Sequence, residues 1–303
     1  MRALHQAFVE AIRTGPLWQP GDRVAIGVSG GVDSLALFEL ALSTARLHGG
    51  QISVVTVDHG QHDQSAAHAA AVVELCRSRG VEVHSERVDL RPSASEAEAR
   101  EARYSVFASL DVDRIALAHH QRDQAETVLV NLLRGTGPRG LGGMASRRGR
   151  YVRPLLGFNP ADLREYVRSR GLRVGEDPSN QSDRFLRNRI RSQLLPLLEE
   201  LRPGAVRSLA RSASWAAEDD RLLQSLSASI PLDLSSLSDA PTPLARRRIA
   251  DAFGPVSTAQ LDAIMHLVAG KGSRVQLDGE RTVVVAERRL VLATDGESGP
   301  PSR

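Results

Sequence analysis

The sequence has a single cysteine, a single lysine and few aromatic residues, and it contains no long hydrophobic run. One cysteine, Cys76, can neither close an internal disulfide nor supply the thiolates of a zinc or iron–sulfur site. Its position in an apolar helical stretch predicts a packed core thiol rather than a reactive one. No apolar stretch approaches the roughly 20 residues that cross a bilayer, and the N-terminus lacks the apolar core of a signal peptide. We therefore expect a cytoplasmic protein with no membrane partner.

The 303 residues carry a formal net charge of only +3, but this charge is unevenly distributed. Between residues 135 and 215 there are 16 Arg against 7 Asp and Glu. The chain uses arginine almost exclusively as its basic residue, since Lys271 is the only lysine. A general preference for arginine over lysine does not explain why the arginines are concentrated in this segment. A basic segment in a nearly neutral chain favours nucleic acid as a partner, and a solvated charged surface is the alternative.

Hydrophobic periodicity predicts strands that alternate with helices over residues 24–134. The strands are predicted at Val24–Val28, Ile52–Val57, Val81–Val88 and Arg114–Ala118, and the helices at Asp33–Leu47, Ser65–Arg79, Ser95–Leu110 and Asp123–Arg134. Strands that alternate with helices of this length form parallel sheets through right-handed crossovers. The sequence therefore predicts an α/β fold with a parallel, doubly wound sheet.

The remainder of the chain is predicted to be mainly helical, with a small α+β domain at the end. Gly135–Gly143 is expected to form a mobile loop, Arg187–Ser227 a helical region, and Pro231–Pro243 a linker or irregular segment. A helix at Thr258–Val268 is then followed by strands at Arg274–Leu277, Arg281–Ala286 and Leu290–Ala293. We therefore expect a large domain over residues 1–200, a helical linker region over 201–240 and a small domain over 241–303.

Three polar segments follow predicted strands, at the carboxyl ends where parallel sheets bind ligands. They are Ser29–Ser34, Asp58–Gly60 and His119–Asp123. In the first of them a strand, a glycine turn and a helix start direct backbone N–H groups and the helix dipole toward one point. This arrangement predicts a phosphate-binding loop, although a structural turn with serine as the helix cap is an alternative.

The residues of this loop, Ser29-Gly30-Gly31-Val32-Asp33-Ser34, have distinct expected roles. The glycines let the backbone approach phosphate oxygens, and Ser29 and Ser34 can donate hydroxyl hydrogen bonds. Asp33 would be repelled by phosphate unless a divalent cation lay between them, so it implies Mg²⁺ held through the nucleotide. Asp58 and His59, after the second strand, are expected to line the nucleotide pocket.

The predicted helix at Asp123–Arg134 has an apolar and a polar face. Its buried stripe is predicted from apolar residues at spacings of three and four, namely Ala125, Val128, Leu129, Leu132 and Leu133. Asp123, Glu126 and Thr127 then share the opposite face, which points toward the strand ends. Two carboxylates beside a phosphate loop indicate that a cation binds to them. The alternative is a solvent-exposed helix start, where acidic side chains are favoured by the helix dipole.

Two adjacent histidines, His119 and His120, stand at a predicted strand end. Neighbouring residues of a strand point to opposite sides, which argues against a shared zinc site. We expect His119 to contact substrate or phosphate and His120 to pack inside the protein.

Two groups of arginines have the spacing of phosphate contacts. Arg100 and Arg103 are one turn apart on the polar side of a helix. Contact with the phosphates of ATP or RNA and simple exposure to solvent are equally good interpretations of this position. Arg187, Arg189 and Arg191 lie within the basic segment, and we expect them to contact an RNA backbone.

Several ordered segments together resemble one known family. Ser29–Ser34, with the sequence SGGVDS, resembles the PP-loop of the N-type ATP pyrophosphatases. The other matching segments are Val57–Gly60, Glu96–Tyr104, Ala118–Thr127, Leu133–Gly137, Gly140–Met144, Arg153–Leu156, Glu176–Asn180 and Arg187–Arg191. This set resembles the tRNA(Ile)-lysidine synthetases, closely over about residues 20–200 and more loosely from Lys271 onward.

The resemblance implies a fold like that of the adenine nucleotide α-hydrolases and a reaction that splits ATP between its α and β phosphates. Such ligases adenylate carbon 2 of the wobble cytidine in the CAU anticodon of isoleucine tRNA. They then join L-lysine to that carbon, with release of AMP and pyrophosphate. The loop would bind pyrophosphate as the leaving group, which accounts for the missing Walker-type lysine.

The resemblance also assigns roles to single residues. Asp123 and Glu126 would receive the ammonium group of lysine, and either could accept the proton of the attacking amine. Many members carry two consecutive acids in this segment, whereas this chain has Arg122 before Asp123, so the assignment rests on Asp123 and Glu126. Residues 1–200 would form the catalytic domain and residues 241–303 an accessory domain that binds tRNA. Longer members have a further C-terminal domain, so the chain resembles the short form.

Other functions stay open at this point. Relatives with a PP-loop also thiolate tRNA, which usually requires paired cysteines, or form amides on small acids, which would not require the basic segment. A non-catalytic RNA-binding module is a third alternative, and the intact Asp33, Asp123 and Glu126 argue against it. The sequence does not decide the oligomeric state, and a homodimer is compatible with it.

Overall fold

The chain divides into two units, residues 1–217 and 218–303, and the boundary falls inside a long helix. The computed structural model describes residues 2–58, 60, 63–88, 90–91, 94–172, 174–175 and 186–294. His59 and Glu176–Asn180, which are part of the family resemblance, therefore lie outside the described residues. The three-part division with boundaries after residues 200 and 240 stays a prediction.

The first unit contains a six-stranded sheet. In chain order its strands are β1 (Arg23–Gly27), β2 (Gln51–Asp58), β3 (Val83–Arg87), β4 (Arg114–Ala116), β5 (Arg147–Arg148) and β6 (Tyr151–Val152). The strand order is β3-β2-β1-β4-β6-β5, and every pair is parallel except β5 with β6. The predicted parallel sheet is confirmed. The short strands β5 and β6, of which β5 lies at the sheet edge, were not predicted, because two residues are too few to show a periodicity.

This unit contains helices that pack on both faces of the sheet and others that pack on α6, the helix at Gln121–Leu133. They are α1 (Arg2–Thr14), α2 (Val32–Ser43), α3 (Ala45–His48), α4 (Asp63–Ser78), α5 (Glu96–Ser109), α6 (Gln121–Leu133), α7 (Pro138–Leu141), α8 (Pro160–Ser169), α9 (Leu186–Arg189), a π-helical turn (Ile190–Leu194), α10 (Leu195–Leu201) and α11 (Ala205–Ala228). Val24 and Ile26 of β1 join a core with α1, α2, α4 and α8, whereas Ala25 between them packs with α5. Because successive side chains of a strand point to opposite faces, the sheet is doubly wound, as predicted.

The structure corrects two predictions near α6. Leu132 and Leu133, expected in the buried stripe, are 55% and 62% exposed, because only the first half of the helix packs against the core. Gly135–Gly143, expected to be a mobile loop, contains α7 and is held by side chains of α6. The Asn131 side-chain amide donates to the Gly140 carbonyl at 2.8 Å, and that of Gln124 donates to the Gly142 carbonyl at 3.1 Å.

The second unit is built from α12 (Leu234–Asp239), α13 (Thr242–Phe253), α14 (Thr258–Val268), β7 (Arg274–Gln276), β8 (Arg281–Ala286) and β9 (Arg289–Thr294). The three strands form an antiparallel sheet in the order β7-β8-β9, which confirms the predicted α+β ending. The expected linker Pro231–Pro243 instead contains α12, whose Leu237 is buried in this unit's core. Asp233 begins that helix by accepting the Ser236 N–H at 2.8 Å. In the described ranges, no helix combines the length and apolarity required to span a bilayer.

Candidate active site

The strand order reverses between β1 and β4, which are neighbours in the middle of the sheet. At such a reversal the connections after the two strands diverge and leave a crevice at their carboxyl ends. The connection after β1 leads through Ser29–Gly31 into α2, and β4 is followed by His119 and His120 at the start of α6. Two of the three predicted polar segments therefore meet at this edge of the sheet.

The loop after β1 has the geometry of an anion-binding turn. Gly30 has a φ of 87°, a left-handed conformation that strains residues with a Cβ. Gly31 is the residue before α2 and makes no side-chain cap, so the N–H groups of the first turn stay directed out of the helix end. The serine-capped turn considered as an alternative is therefore not present. Ser34 Oγ accepts the Ser29 N–H at 3.2 Å and donates to the Gly31 carbonyl at 2.8 Å, which closes the loop.

His120 connects the loop to α6. Its Nε2 lies 3.4 Å from Oδ2 of Asp33, and its Nδ1 lies 3.2 Å from Oδ2 of Asp123. The His120 N–H also donates to the Asp123 carboxylate at 3.0 Å, which completes a reciprocal cap at the start of α6. Burial disfavours the charged imidazole, but the hydrogen bond that His120 donates to Asp33 and the charge of Asp123 outweigh burial and raise the pKa of His120. His120 is buried, as expected, and in addition both of its ring nitrogens face carboxylates.

Four side chains, Asp123, Glu126, Arg187 and Arg191, form what we call the ion-pair cluster. Glu126 is fully buried, and its two oxygens lie 2.9 Å from Arg187 Nε and 2.6 Å from Arg191 Nε. Asp123 Oδ1 lies 3.4 Å from Arg187 Nη2 and 3.2 Å from Arg191 Nη2. The two guanidinium groups balance the two carboxylates, as a buried charge requires. Both acids are thus adjacent to cations, but these cations belong to the chain itself.

His119 stands beside this cluster among several positive charges. Burial, helped by the charges of Arg153, Arg187 and Arg100, lowers the pKa of His119 to about 4 against the opposing charge of Asp123. Its Nδ1 is buried and has no hydrogen-bond partner within the described part of the chain. A neutral imidazole can donate from one nitrogen and accept at the other. This fits the predicted contact to substrate or phosphate, which stays a prediction.

Asp58 ends β2 and is buried next to the same sheet edge. Its Oδ1 accepts the Gly60 N–H at 2.9 Å and the Ser65 hydroxyl at 2.5 Å. Asp58 therefore ties the end of β2 to Gly60 and to Ser65 of α4. Its contact to a nucleotide stays a prediction, as does that of His59.

The predicted phosphate-binding arginines fall into different environments. Arg100 is exposed on α5, where it donates to the Tyr104 hydroxyl at 3.0 Å and lies 4.8 Å from that ring's centroid. Arg103 is half-buried on the same helix. Of the three later arginines, only Arg189 is exposed, since Arg187 and Arg191 turn toward α6. The predicted RNA contacts of all five arginines stay predictions.

Two residues of this region were missed in the sequence as site residues. His120 precedes Asp123 by three residues, which is the spacing of a capping box and was the available signal. Gln124 is buried, and its side-chain oxygen accepts the Met144 N–H at 2.7 Å, which holds the segment after α7 against α6. Gly143 has a φ of 63°, and a Cβ there would lie 2.7 Å from that same oxygen. No local pattern indicates a contact over this sequence separation.

Comparison with known proteins identifies the family. Residues 2–198 match the PP-loop domain. The tRNA(Ile)-lysidine synthase of Leifsonia xyli subsp. xyli (strain CTCB07) is 40% identical over 275 residues, which cover 88% of this chain and 82% of that protein. The chain belongs to the tRNA(Ile)-lysidine synthase family. The predicted family and fold are thereby confirmed.

Other members of the family cover the chain to different extents. The tRNA(Ile)-lysidine synthase of Salinispora tropica (strain ATCC BAA-916 / DSM 44818 / JCM 13857 / NBRC 105044 / CNB-440) is 37% identical over 89% of this chain and 85% of that protein. That of Pseudomonas syringae pv. tomato (strain ATCC BAA-871 / DC3000) is 40% identical over 70% of this chain and 49% of that protein. The chain therefore spans about half the length of some relatives and most of the length of others.

The solved structures include a match to the fold alone. The U34-tRNA thiolase NcsA from Methanococcus maripaludis, with its 4Fe-4S cluster, superposes with a TM-score of 0.56 at 19% identity. The superposition covers 70% of this chain and 78% of that one. It supports the arrangement of the sheet and its helices.

Proposed function

We propose that this chain is an ATP-dependent ligase that joins lysine to carbon 2 of the wobble cytidine in the CAU anticodon of isoleucine tRNA. In the first step the cytidine is adenylated and pyrophosphate leaves. In the second step the lysine amine displaces AMP, and lysidine results. Membership of a family whose relatives are named for lysidine synthesis on tRNA(Ile) supports this proposal. The observation that carries it is the link from the PP-loop through Asp33, His120 and Asp123 to the ion-pair cluster.

The loop Ser29–Ser34 binds the phosphates of ATP in this proposal, and Asp58 and His59 line the nucleotide. Asp33 fits a role as a Mg²⁺ ligand, because its carboxylate is 41% exposed and stands in the first turn of α2 beside the loop. Carboxylate and phosphate oxygens are the donors that Mg²⁺ prefers. When bound, Mg²⁺ neutralises negative charge on the departing pyrophosphate. His120 orients the Asp33 carboxylate through its Nε2.

The ion-pair cluster serves the other two substrates through an exchange of partners. We assign Asp123 and Glu126 to the ammonium of lysine, and Arg187 and Arg191 to phosphates of tRNA. The four side chains pair with one another in the free protein, so both assignments require the arginines to move. Phosphates draw the two guanidinium groups outward, and the ammonium replaces them on the carboxylates. The arginine side chains are 37% and 33% exposed, which leaves room for this movement.

The lysine amine attacks only in its neutral form, so its ammonium proton must pass to a base. Asp123 is better placed than Glu126 to accept it, because the Asp123 side chain is 13% exposed and that of Glu126 is fully buried. His119, kept neutral by a pKa of about 4, is assigned to a substrate contact next to Asp123.

Further tRNA contacts extend from the site in this proposal. Arg100 and Arg103 on α5 bind phosphates of ATP or tRNA, and Arg189 binds the tRNA backbone from α9. Residues 1–200 act as the catalytic domain, residues 201–240 as the helical connection and residues 241–303 as an accessory tRNA-binding domain. A homodimeric assembly and a cytoplasmic location stay predictions.

The adenylation step offers the test of this function. Purified protein is incubated with ATP labelled at the α-phosphate and an isoleucine tRNA transcript with a CAU anticodon, without lysine. We expect label on the RNA and its release as AMP once lysine is added. A transcript with uridine at the wobble position is the matched control and should take up no label. Formation of ADP, or equal labelling of both transcripts, would contradict the proposal.

A further inference from the structure

A proline shapes the backbone that carries Arg191. Pro196 has no N–H to donate to Ser192, and its ring would crowd that carbonyl in a regular α-helix. The chain responds with the π-helical turn Ile190–Leu194, in which the Leu195 N–H bonds to the Ile190 carbonyl, five residues back. The hydrogen-bond register of the helix therefore shifts at Arg191.

This shift changes the donor available to the Arg191 carbonyl. In an α-helix that donor would be the Leu195 N–H, which here bonds to Ile190. In a continued π-helix it would be the N–H of residue 196, which is proline. In place of either, the Arg122 guanidinium donates to the Arg191 carbonyl from Nη2 at 2.7 Å. A charged donor makes one of the stronger hydrogen bonds found in proteins.

Arg122 occupies a position that bears directly on the ion-pair cluster. It precedes Asp123 in the first turn of α6, so the donor to the Arg191 backbone and the acceptors of its side chain belong to one rigid helix. Arg191 is thus held twice by α6, through its carbonyl by Arg122 and through its guanidinium by Glu126 at 2.6 Å. Glu199, whose carboxylate accepts the Val206 N–H at 2.8 Å, lies within electrostatic reach of Arg122 and offsets its charge.

We propose that Arg122 is a positioning residue that fixes the π-helical turn and thereby places the Arg191 guanidinium on Asp123 and Glu126. The consequence for the reaction rests on the proposed function, in which these carboxylates take the lysine ammonium. The placement of the turn itself does not depend on that function. Loss of the Arg122 donor therefore loosens residues 186–195 and weakens the competition of Arg191 with the lysine ammonium for the two carboxylates, while the backbone of the PP-loop is unaffected.

The test compares Arg122→Met, which removes the donor, with Arg122→Lys, which restores a cationic donor of shorter reach. Arg164→Met on the exposed face of α8 is the matched control. Hydrogen exchange measured by mass spectrometry should rise about ten-fold over residues 186–195 in Arg122→Met, as expected for the loss of one charge-assisted hydrogen bond. Exchange in β1 should be unchanged. The KM for lysine should fall by about ten-fold with the KM for ATP constant, because the ammonium no longer competes with a fixed Arg191 guanidinium. Arg122→Lys should reverse part of both effects.

Hydrogen exchange tests the anchoring of the turn, and the KM for lysine tests its consequence for the reaction, so either prediction can fail without the other. If the wild-type protein makes no lysidine, the proposed function is wrong, but a local rise in exchange over residues 186–195 still supports the anchoring. Unchanged exchange in that segment overturns the proposal, as does an equal rise in β1, which would mean general destabilisation. A local rise with an unchanged KM for lysine overturns the positioning role and leaves Arg122 as a packing residue.

Discussion

Replacing Glu126 by Gln tests the energetic role of the ion-pair cluster. Glu126 is fully buried, and its oxygens accept hydrogen bonds from Arg187 Nε at 2.9 Å and from Arg191 Nε at 2.6 Å. Breaking a fully buried ion pair costs about 3–5 kcal/mol. Both arginines are about one-third exposed and regain water when the charge is lost, so solvent screening reduces this cost. With one amide oxygen still able to accept, we expect Glu126→Gln to lower the free energy of unfolding by about 2 kcal/mol.

Urea unfolding followed by tryptophan fluorescence measures this change in the first unit, because both tryptophans, Trp18 and Trp215, lie there. Glu165→Gln is the matched control, since Glu165 pairs with Arg168 on the exposed face of α8 and surface pairs contribute little. Equal midpoints for the two variants, with equal urea dependence, would refute the reasoning.

A double-mutant cycle sharpens the same prediction. Arg191→Gln alone leaves the buried Glu126 carboxylate with one cation fewer, and should destabilise the unit. In the Glu126→Gln background the same change removes a guanidinium, about one-third exposed, that no longer compensates a buried charge, and it should cost much less. Additive effects of the two substitutions would show that the pair is not coupled.

The remaining predictions concern the loop, the exposed arginine and the buried histidine. Asp33→Asn should abolish labelling of tRNA by ATP while tRNA binding in a filter assay persists, and a near-normal rate would remove Asp33 from the mechanism. Arg189→Gln should reduce the slope of log affinity against log salt by about 0.7–0.9, whereas Arg164→Gln should leave it unchanged; equal slopes for both variants would assign Arg189 to solvent. Burial lowers the pKa of His119 from 6.5 to about 4, so protonation favours the unfolded chain and stability falls as pH drops through this range. His119→Asn should flatten that loss in urea titrations, and parallel curves would contradict it.

The parts of the fold that depend on local pattern were predictable from the sequence. The boundaries of α14 and β8 agree with the predicted Thr258–Val268 and Arg281–Ala286, because each is a single apolar stripe bounded by turn residues. The loop at Ser29–Ser34 was predictable for the same reason, since a buried strand, glycines and a helix start are consecutive. Leu132 and Leu133 show the limit of such reasoning, because a stripe indicates which face is apolar but not where its partner ends.

The chemistry of the site depended on contacts that no local pattern reveals. Arg187 and Glu126 are 61 residues apart in the sequence. Taken separately, Arg187 is interpreted as an RNA contact and Glu126 as a ligand of the lysine ammonium. Only the packing of α9 and the π-helical turn on α6 brings them together. The role of His120 was only partly predictable. Its capping-box spacing to Asp123 is visible in the sequence, but its contact with Asp33 depends on β1 and β4 being neighbours in the sheet, which the sequence does not show.

The most direct measurement of the central claim is the incorporation of labelled lysine into isoleucine tRNA. The protein is incubated with ATP, labelled L-lysine and the CAU-anticodon transcript, and each component is omitted in turn. The account predicts label in the RNA only when all three are present, and located at the wobble cytidine after nuclease digestion. Label that appears without ATP, that resides elsewhere in the RNA, or that never enters it despite ATP turnover would contradict the account.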